Sequence, residues 1–240
     1  MAMRLACGWR PQRRAAPVAA ELTRTGSAVA LCDAWGSWAG IEPESLATAV
    51  MMEALRHSET PCIAAIEAVF ERARVALNGL PEDPEGWLNP ATNALAALAT
   101  PTTCVVGWLG NISARVHRRD GSEDCTAPHV LGAKEPLLQP EHPLFSVPTQ
   151  LLGQHQGRPE VVTWRGLEPG DILIIANSDV TEFLQALDCP QPDDLDRWLA
   201  AVDAMAYAAR REWSDQDRVR PIGRDEGWSS GPVVAVVIAE

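Results

Sequence analysis

The chain has 240 residues and sets 20 Lys and Arg against 32 Asp and Glu, a formal net charge of −12 at pH 7. That acidic balance argues against nonspecific nucleic-acid or anionic-membrane binding, and no stretch approaches the roughly 18 apolar residues that cross a bilayer. At 46% hydrophobic and 22% charged residues the composition is ordinary for a globular protein, and the length allows one large domain with one sizeable core or two small ones.

Six cysteines (Cys7, Cys32, Cys62, Cys104, Cys125, Cys189) are scattered without a C-x-x-C or a Cys/His cluster, which argues against a zinc site or a disulfide framework and points to a reduced, cytoplasmic compartment. Lys134 is the only lysine, read as compositional bias and not as function. The first two dozen residues carry Arg4, Arg10, Arg13, Arg14 and Arg24 against the single acid Glu21. With no apolar core for a secretory signal, they are expected to form an irregular first strand and loop.

The stretch Val29 to Gly40, VALCDAWGSWAG, couples an apolar run to a carboxylate and a tight turn. A buried strand stopping at Asp33 would hold that carboxylate rigidly at a sheet end, and the turn Ala34-Trp35-Gly36-Ser37 lets backbone carbonyls approach the same point, as hard divalent cations require. The alternative is that Asp33 only caps the helix that follows. Helices are expected from Pro43 to His57, with Leu46, Val50 and Ala54 on one face, and from Thr60-Pro61 onward, with Ile66, Val69, Phe70, Ala73 and Leu77 in the 3.6 period. Leu80 to Pro90 is a proline-rich break, and Asn93 to Ala99 reads as a short helical turn.

Thr102 to Leu109 and Ile112 to Arg118 read as two paired strands, with Asp120-Gly121 as a hairpin-type turn. Ser122 to Gly157 contains five prolines and no periodicity, and is assigned mostly to a long surface excursion. Glu160 to Arg165 and Ile172 to Ala176 read as a second strand pair around Glu168-Pro169-Gly170-Asp171. The run ILIIA has the apolar continuity of a strand buried on both faces and leads to Asp179. Asp194 to Arg211 is the clearest helix, with Leu195, Trp198, Leu199, Val202, Met205 and Ala209 in register, and Val233 to Ile238 is a closing strand.

Two buried strands ending in aspartates could bring Asp33 and Asp179 together, where the carboxylates would repel unless a proton or cation lay between them. Two divalent ions about 3.5–4 Å apart would there activate water for in-line attack on phosphorus. The five histidines show no metal-ligand spacing and are read as surface or loop residues. Cys32 beside Asp33 is read as a small buried residue and not a nucleophile, having no positioned base near it in sequence. Of the tryptophans, Trp198 falls on a core helix face, while Trp35, Trp38 and Trp228 flank the proposed site.

In order and spacing these features resemble the metal-dependent protein phosphatases, the PPM or type 2C family. Asp33-Ala34-Trp35-Gly36-Ser37 is similar to the family's Asp-Gly-x-Gly-Ser turn, and Pro101-Thr102-Thr103 to its Gly-Thr-Thr strand. The family's Gly-Asp-Ser-Arg strand falls on Asn111-Ile112-Ser113-Ala114, followed by Arg119-Asp120-Gly121. Leu167-Glu168-Pro169-Gly170-Asp171-Ile172-Leu173-Ile174-Ile175-Ala176-Asn177-Ser178-Asp179 looks like its LxPGDxLLLxSDG segment, and Val233 to Ile238 like its closing strand.

The resemblance implies a single domain over 1–240 with an α+β fold, a four-layer αββα sandwich of two mainly antiparallel sheets, with a two-metal Mn or Mg centre between them. It implies Asp33 as bridging ligand, the Ala34 carbonyl facing the second metal, Asp179 on the first, and Asp33 and Asp179 as the catalytic pair. Asp225 or Glu226 is the candidate substitute ligand, and Arg10 or Arg13 the phosphate-binding arginine. The chain departs from the pattern where Ser230-Gly231 replaces an Asp-Asn, where Arg14-Ala15-Ala16 removes an acid, where Ile112 takes an aspartate's place and where Val180 takes a glycine's.

Charge count sets the affinity of a hard-cation site, so these losses favour a weak or inactive pseudophosphatase that binds a protein partner, a phosphorylated segment being one form such a partner could take. The alternative is an active Mn- or Mg-dependent phosphoserine/phosphothreonine phosphatase, and a third is an unrelated α+β binding domain. Both phosphatase versions require the segment from Gly170 to Asp179 to form a strand beside Val29 to Asp33.

Overall fold

The computed structural model describes residues 3–8, 18–24, 26–34, 42–58, 60–81, 90–118, 121, 123–139, 142, 144–154, 157–177, 194–202, 204 and 233–238. In chain order the elements are β1 (Met3–Gly8), β2 (Val18–Leu22), β3 (Ser27–Ala34), α1 (Pro43–Arg56), α2 (Ile63–Asn78), β4 (Thr92–Ala99), β5 (Thr103–Leu109), β6 (Ile112–His117), β7 (Glu123–Cys125), α3 (Leu131–Lys134), β8 (Glu160–Arg165), β9 (Ile172–Asn177) and β10 (Val233–Ile238). Residues 195–202 are helical as well.

The strands form two five-stranded sheets, ordered β1-β10-β9-β6-β7 and β2-β3-β4-β5-β8, and every pairing among them is antiparallel. Period-2 alternation divides each central strand between two cores. Val29 and Leu31 of β3, Leu95 of β4, Val106 of β5, Ile112 of β6 and Ile175 of β9 meet between the sheets. The intervening residues of β3 and β4, among them Ala30, Cys32, Ala94 and Ala96, turn to the other face and pack with Met51 and Leu55 of α1 and Ile66 and Phe70 of α2. On β9, Ile172 and Ile174 are also fully buried, on the face away from the inter-sheet core, and the helical stretch 195–202 buries Leu195, Leu199 and Val202. The architecture is the αββα sandwich expected.

The first helix after β3 starts where expected, with Pro43 in its first turn, whereas α2 starts at Ile63, just after the expected Thr60-Pro61. The whole predicted stripe of α2 is buried. In α1 the buried centre is Ala47, Met51 and Leu55, with Leu46 and Val50 beside it and only partly buried.

Three local expectations are corrected. Asn93 to Ala99 is not a helical turn but the core of β4, hydrogen-bonded on both sides to β3 and β5. Its Ala and Leu content favours a helix locally, but eight residues fully buried on both faces are better satisfied by two ladders. The strands before and after Gly110 do not pair with each other: β5 lies between β4 and β8, and β6 between β7 and β9. The same holds for β8 and β9, so each connection crosses from one sheet to the other. β9 therefore faces β3 across the sandwich and does not lie beside it, which corrects the requirement read from sequence: the two strand ends meet across the gap, through Asn177 and Asp33, and not as ladder neighbours. Finally, the excursion from Ser122 to Gly157 is partly buried, contributing β7, the short α3 and bridges Thr92↔Leu152 and Val130↔Pro148.

Candidate functional site

Asp33 shares the inward-facing parity of Val29 and Leu31 on β3, so the strand aims its carboxylate at the opposite sheet. The same alternation puts Asn93 of β4 and Asn177 of β9 at that end, Asn93 opposite Asp33 in the ladder and Asn177 opposite Ile112. The two sheets meet there through a side-chain bond: Asn177 Nδ2 donates to Asp33 Oδ2 at 3.3 Å. Asn177 is completely buried, Asn93 nearly so and Asp33 half-buried.

The backbone behind the carboxylate is tied as firmly. Thr92 Oγ1 donates to the Asp33 carbonyl at 2.7 Å and Asn93 Nδ2 reaches it at 3.4 Å. Asn93 Oδ1 in turn accepts the Asn111 backbone N–H at 2.8 Å. Asn111 and Gly110 form the crossing from β5 to β6, where Gly110 takes φ +88°. A side chain there would be strained, and its Cβ would strike the Asn93 side chain. The crossing is braced by His129, a buried histidine whose Nδ1 accepts the Gly110 N–H at 3.3 Å.

Asp33 does not cap α1: the N-cap position of that helix is Glu42, which makes no side-chain cap. Cys32 is sealed on the opposite face of β3, with its sulfur 3.6 Å from Met51 Sδ. Burial pushes its thiol up to about 12, only partly offset by a hydrogen bond with Thr48, which rules out thiolate chemistry at neutral pH. Ile112, matched from sequence to a family aspartate, lies in the inter-sheet core, and Asn111 is the polar residue at that crossing. Of the other candidate residues, Arg10, Arg13, Asp179, Asp225 and Glu226 lie outside the described residues, as do Trp35, Trp38 and Trp228, and Ala34 is described only as the strand residue opposite Thr92.

Sequence reasoning missed Asn93, Asn177, Asn111 and His129. The first two carried a readable signal, each standing where an otherwise apolar strand meets the same end as Asp33. His129 carried none, because its role depends on folding back across twenty residues.

Among the described residues, no group of three or more His, Cys, Asp and Glu could hold a metal ion. Asp33 supplies one carboxylate, and amide oxygens such as those of asparagine are acceptable to Mg, Mn or Ca.

Two five-stranded antiparallel sheets in this order, helices outside them and a polar cluster at one end define the fold of the PPM-type serine/threonine phosphatases. No protein-family model and no curated protein sequence matches the chain. Among solved structures it is similar to the serine/threonine phosphatase PstP/Ppp of Mycobacterium tuberculosis, at 17% identity and TM-score 0.69 over 99% of each chain. It is likewise similar to the S. agalactiae serine/threonine phosphatase, at 16% identity and TM-score 0.68 over all of both chains. Stp1 of Staphylococcus aureus matches at 13% identity and TM-score 0.68, over 98% of this chain and 93% of that one. A further PstP structure, at 17% identity, TM-score 0.67 and 99% of each chain, contains two manganese ions. At these identities the likeness establishes the fold.

Proposed function

We propose that this protein is a divergent member of the PPM phosphatases whose metal site is weakened, and that it acts chiefly by binding a protein partner through a phosphorylated segment. The observation that carries this reading is the company Asp33 keeps: two asparagines contact it, Asn177 donating an amide N–H to its carboxylate and Asn93 one to its carbonyl. An N–H on that oxygen stabilises the carboxylate as a neutral dipole and occupies an oxygen that a cation would otherwise take.

Mn or Mg, when bound, would supply Lewis-acid activation of water and charge for an in-line attack on phosphorus. Asp33 would hold the ion from β3 and Asp179 from beyond β9. Asn177 would turn its amide oxygen toward the ion, or give way, for the carboxylate to be shared. Thr92 and Asn93 fix the Asp33 carbonyl, so the carboxylate approaches from one direction, and Arg10 or Arg13 would meet the phosphate. A second reading, a working phosphoserine/phosphothreonine phosphatase, is supported by the fold and by the placement of Asp33 between the sheets.

Hydrolysis of an aryl phosphate and a phosphothreonine peptide in millimolar Mn²⁺ decides between the two, with Asp33→Asn and Asp179→Asn as comparisons. Turnover no higher than in the variants, with the peptide still bound in a titration, is expected. Metal-dependent turnover abolished by both substitutions would instead establish the enzyme.

A further inference from the structure

We propose that His129 is a positioning residue for the Asp33 site, acting as a neutral imidazole with its proton on Nε2. The ring is set between three elements. It stacks on Trp108 of β5, with centroids 5.8 Å apart and planes inclined by 17°, and Trp108 is itself anchored by Nε1 donating to the Ala127 carbonyl at 2.7 Å. Its Nδ1 accepts the Gly110 N–H, and its own backbone N–H donates to the Gly110 carbonyl at 2.9 Å. Its carbonyl accepts from Thr149 N at 2.8 Å.

The chemistry fixes the tautomer. An Nδ1 that accepts from a backbone N–H cannot carry a proton, so the proton of the neutral ring sits on Nε2. Nε2 lies 3.2 Å from Glu160 Oε1, outside good hydrogen-bond alignment, so Glu160 favours that proton electrostatically. Glu160 is on β8 directly opposite Trp108 in the ladder, and its side chain is 58% exposed. It can therefore bias the ring without burying its own charge.

The Gly110 peptide that His129 clamps on both sides is the one that must cross between sheets at positive φ. Immediately after it, the Asn111 N–H fixes Asn93, and Asn93 reaches the Asp33 carbonyl. The links run 3.3 Å, 2.8 Å and 3.4 Å, the first buried and the other two part-buried, so a change in ring chemistry at His129 is transmitted to Asp33 across the crossing. Its functional meaning rests on the reading of Asp33 as the site; the linkage itself does not.

Two near-isosteres separate the ring's functions. Asparagine puts an oxygen where Nδ1 stands and keeps the acceptor for Gly110, whereas glutamine places its polar group near Nε2 and leaves Gly110 unpaired. In metal-free protein, long-range ¹⁵N–¹H spectra of the wild type should show Nδ1 unprotonated and Nε2 protonated. Amide exchange at Gly110 should be slow in wild type and His129→Asn and at least tenfold faster in His129→Gln. The Asp33 backbone and Asn93 side-chain resonances should shift in the Gln variant and return in the Asn variant.

Mn²⁺ broadening around Asp33 should then need several-fold more metal in the Gln variant than in the other two proteins. A proton on Nδ1, unchanged exchange in the Gln variant, or Asp33 and Asn93 resonances that ignore the substitution would overturn the proposal. The spectrum of the wild type tests it even if a variant does not fold. Absence of phosphatase turnover or of metal binding would bear on the proposed function alone, since tautomer, exchange and shifts are read without metal.

Discussion

Cys32 and Asp33 are neighbours with opposite fates because a strand alternates: one side chain enters the helix-side core, the other the polar end of the inter-sheet gap. The buried thiol has a consequence for stability. Its ionisation is raised from 9.0 to about 12, chiefly by burial, so folding favours the neutral thiol. That contribution is complete below pH 9 and is lost as pH rises toward 12, by at most about 1.4 kcal/mol per pH unit. The stability gap between wild type and Cys32→Ala, measured by urea melts from pH 8 to 11, should therefore narrow above pH 9; parallel profiles would contradict the assignment. The sequence made Cys32 readable as buried and Asp33 as a strand-end carboxylate, since both follow from local apolar continuity. It did not show what surrounds Asp33, because Asn93 and Asn177 arrive from two strands, and Asn111 behind Asn93 from a crossing, whose register is set only by the assembled sheets.

Helices and strands were legible where their pattern was periodic and exposed on one face, as in α2. They were misread where both faces are covered, as in β4, since a strand of Ala and Leu buried on both sides has no polar alternation to reveal its period. Pairing was the less legible property: adjacent strands in sequence were expected to be hairpin partners, but this sandwich sends β5 to β6 and β8 to β9 across the gap between its sheets. Close helix–sheet packing shows in one residue, Gly107 of β5, where a Cβ would collide with Ile66 Cγ2 and press on Phe70. Gly107→Val should therefore force α2 outward and destabilise the fold by about 1–3 kcal/mol, read as a lower urea midpoint. A midpoint equal to wild type would mean that α2 sits farther from the sheet.

For the molecule as a whole, the telling arrangement is that β10 lies between β9 and β1, joining the last described strand to the first. β10 reads VVAVVI, a segment of high β-propensity without charge. Deleting residues 1–8 would leave it as an uncovered edge, and the truncated protein should form aggregates, detectable by size exclusion and thioflavin fluorescence, where the full chain stays dispersed. A monodisperse truncation product would show that β10 is protected by something other than β1.

The β1–β10 pairing also sets Met3 against Ile238. A linker of a few residues between these two strand ends would close the segment 3–238 into a ring, and the ring could be reopened at Gly121, an exposed hairpin tip with open space where a Cβ would stand. The polypeptide can thus be circularly permuted without cutting a central strand. By the same geometry it can be spliced into a surface loop of a host protein, entering and leaving at one point and carrying the Asp33 cluster with it as a portable module.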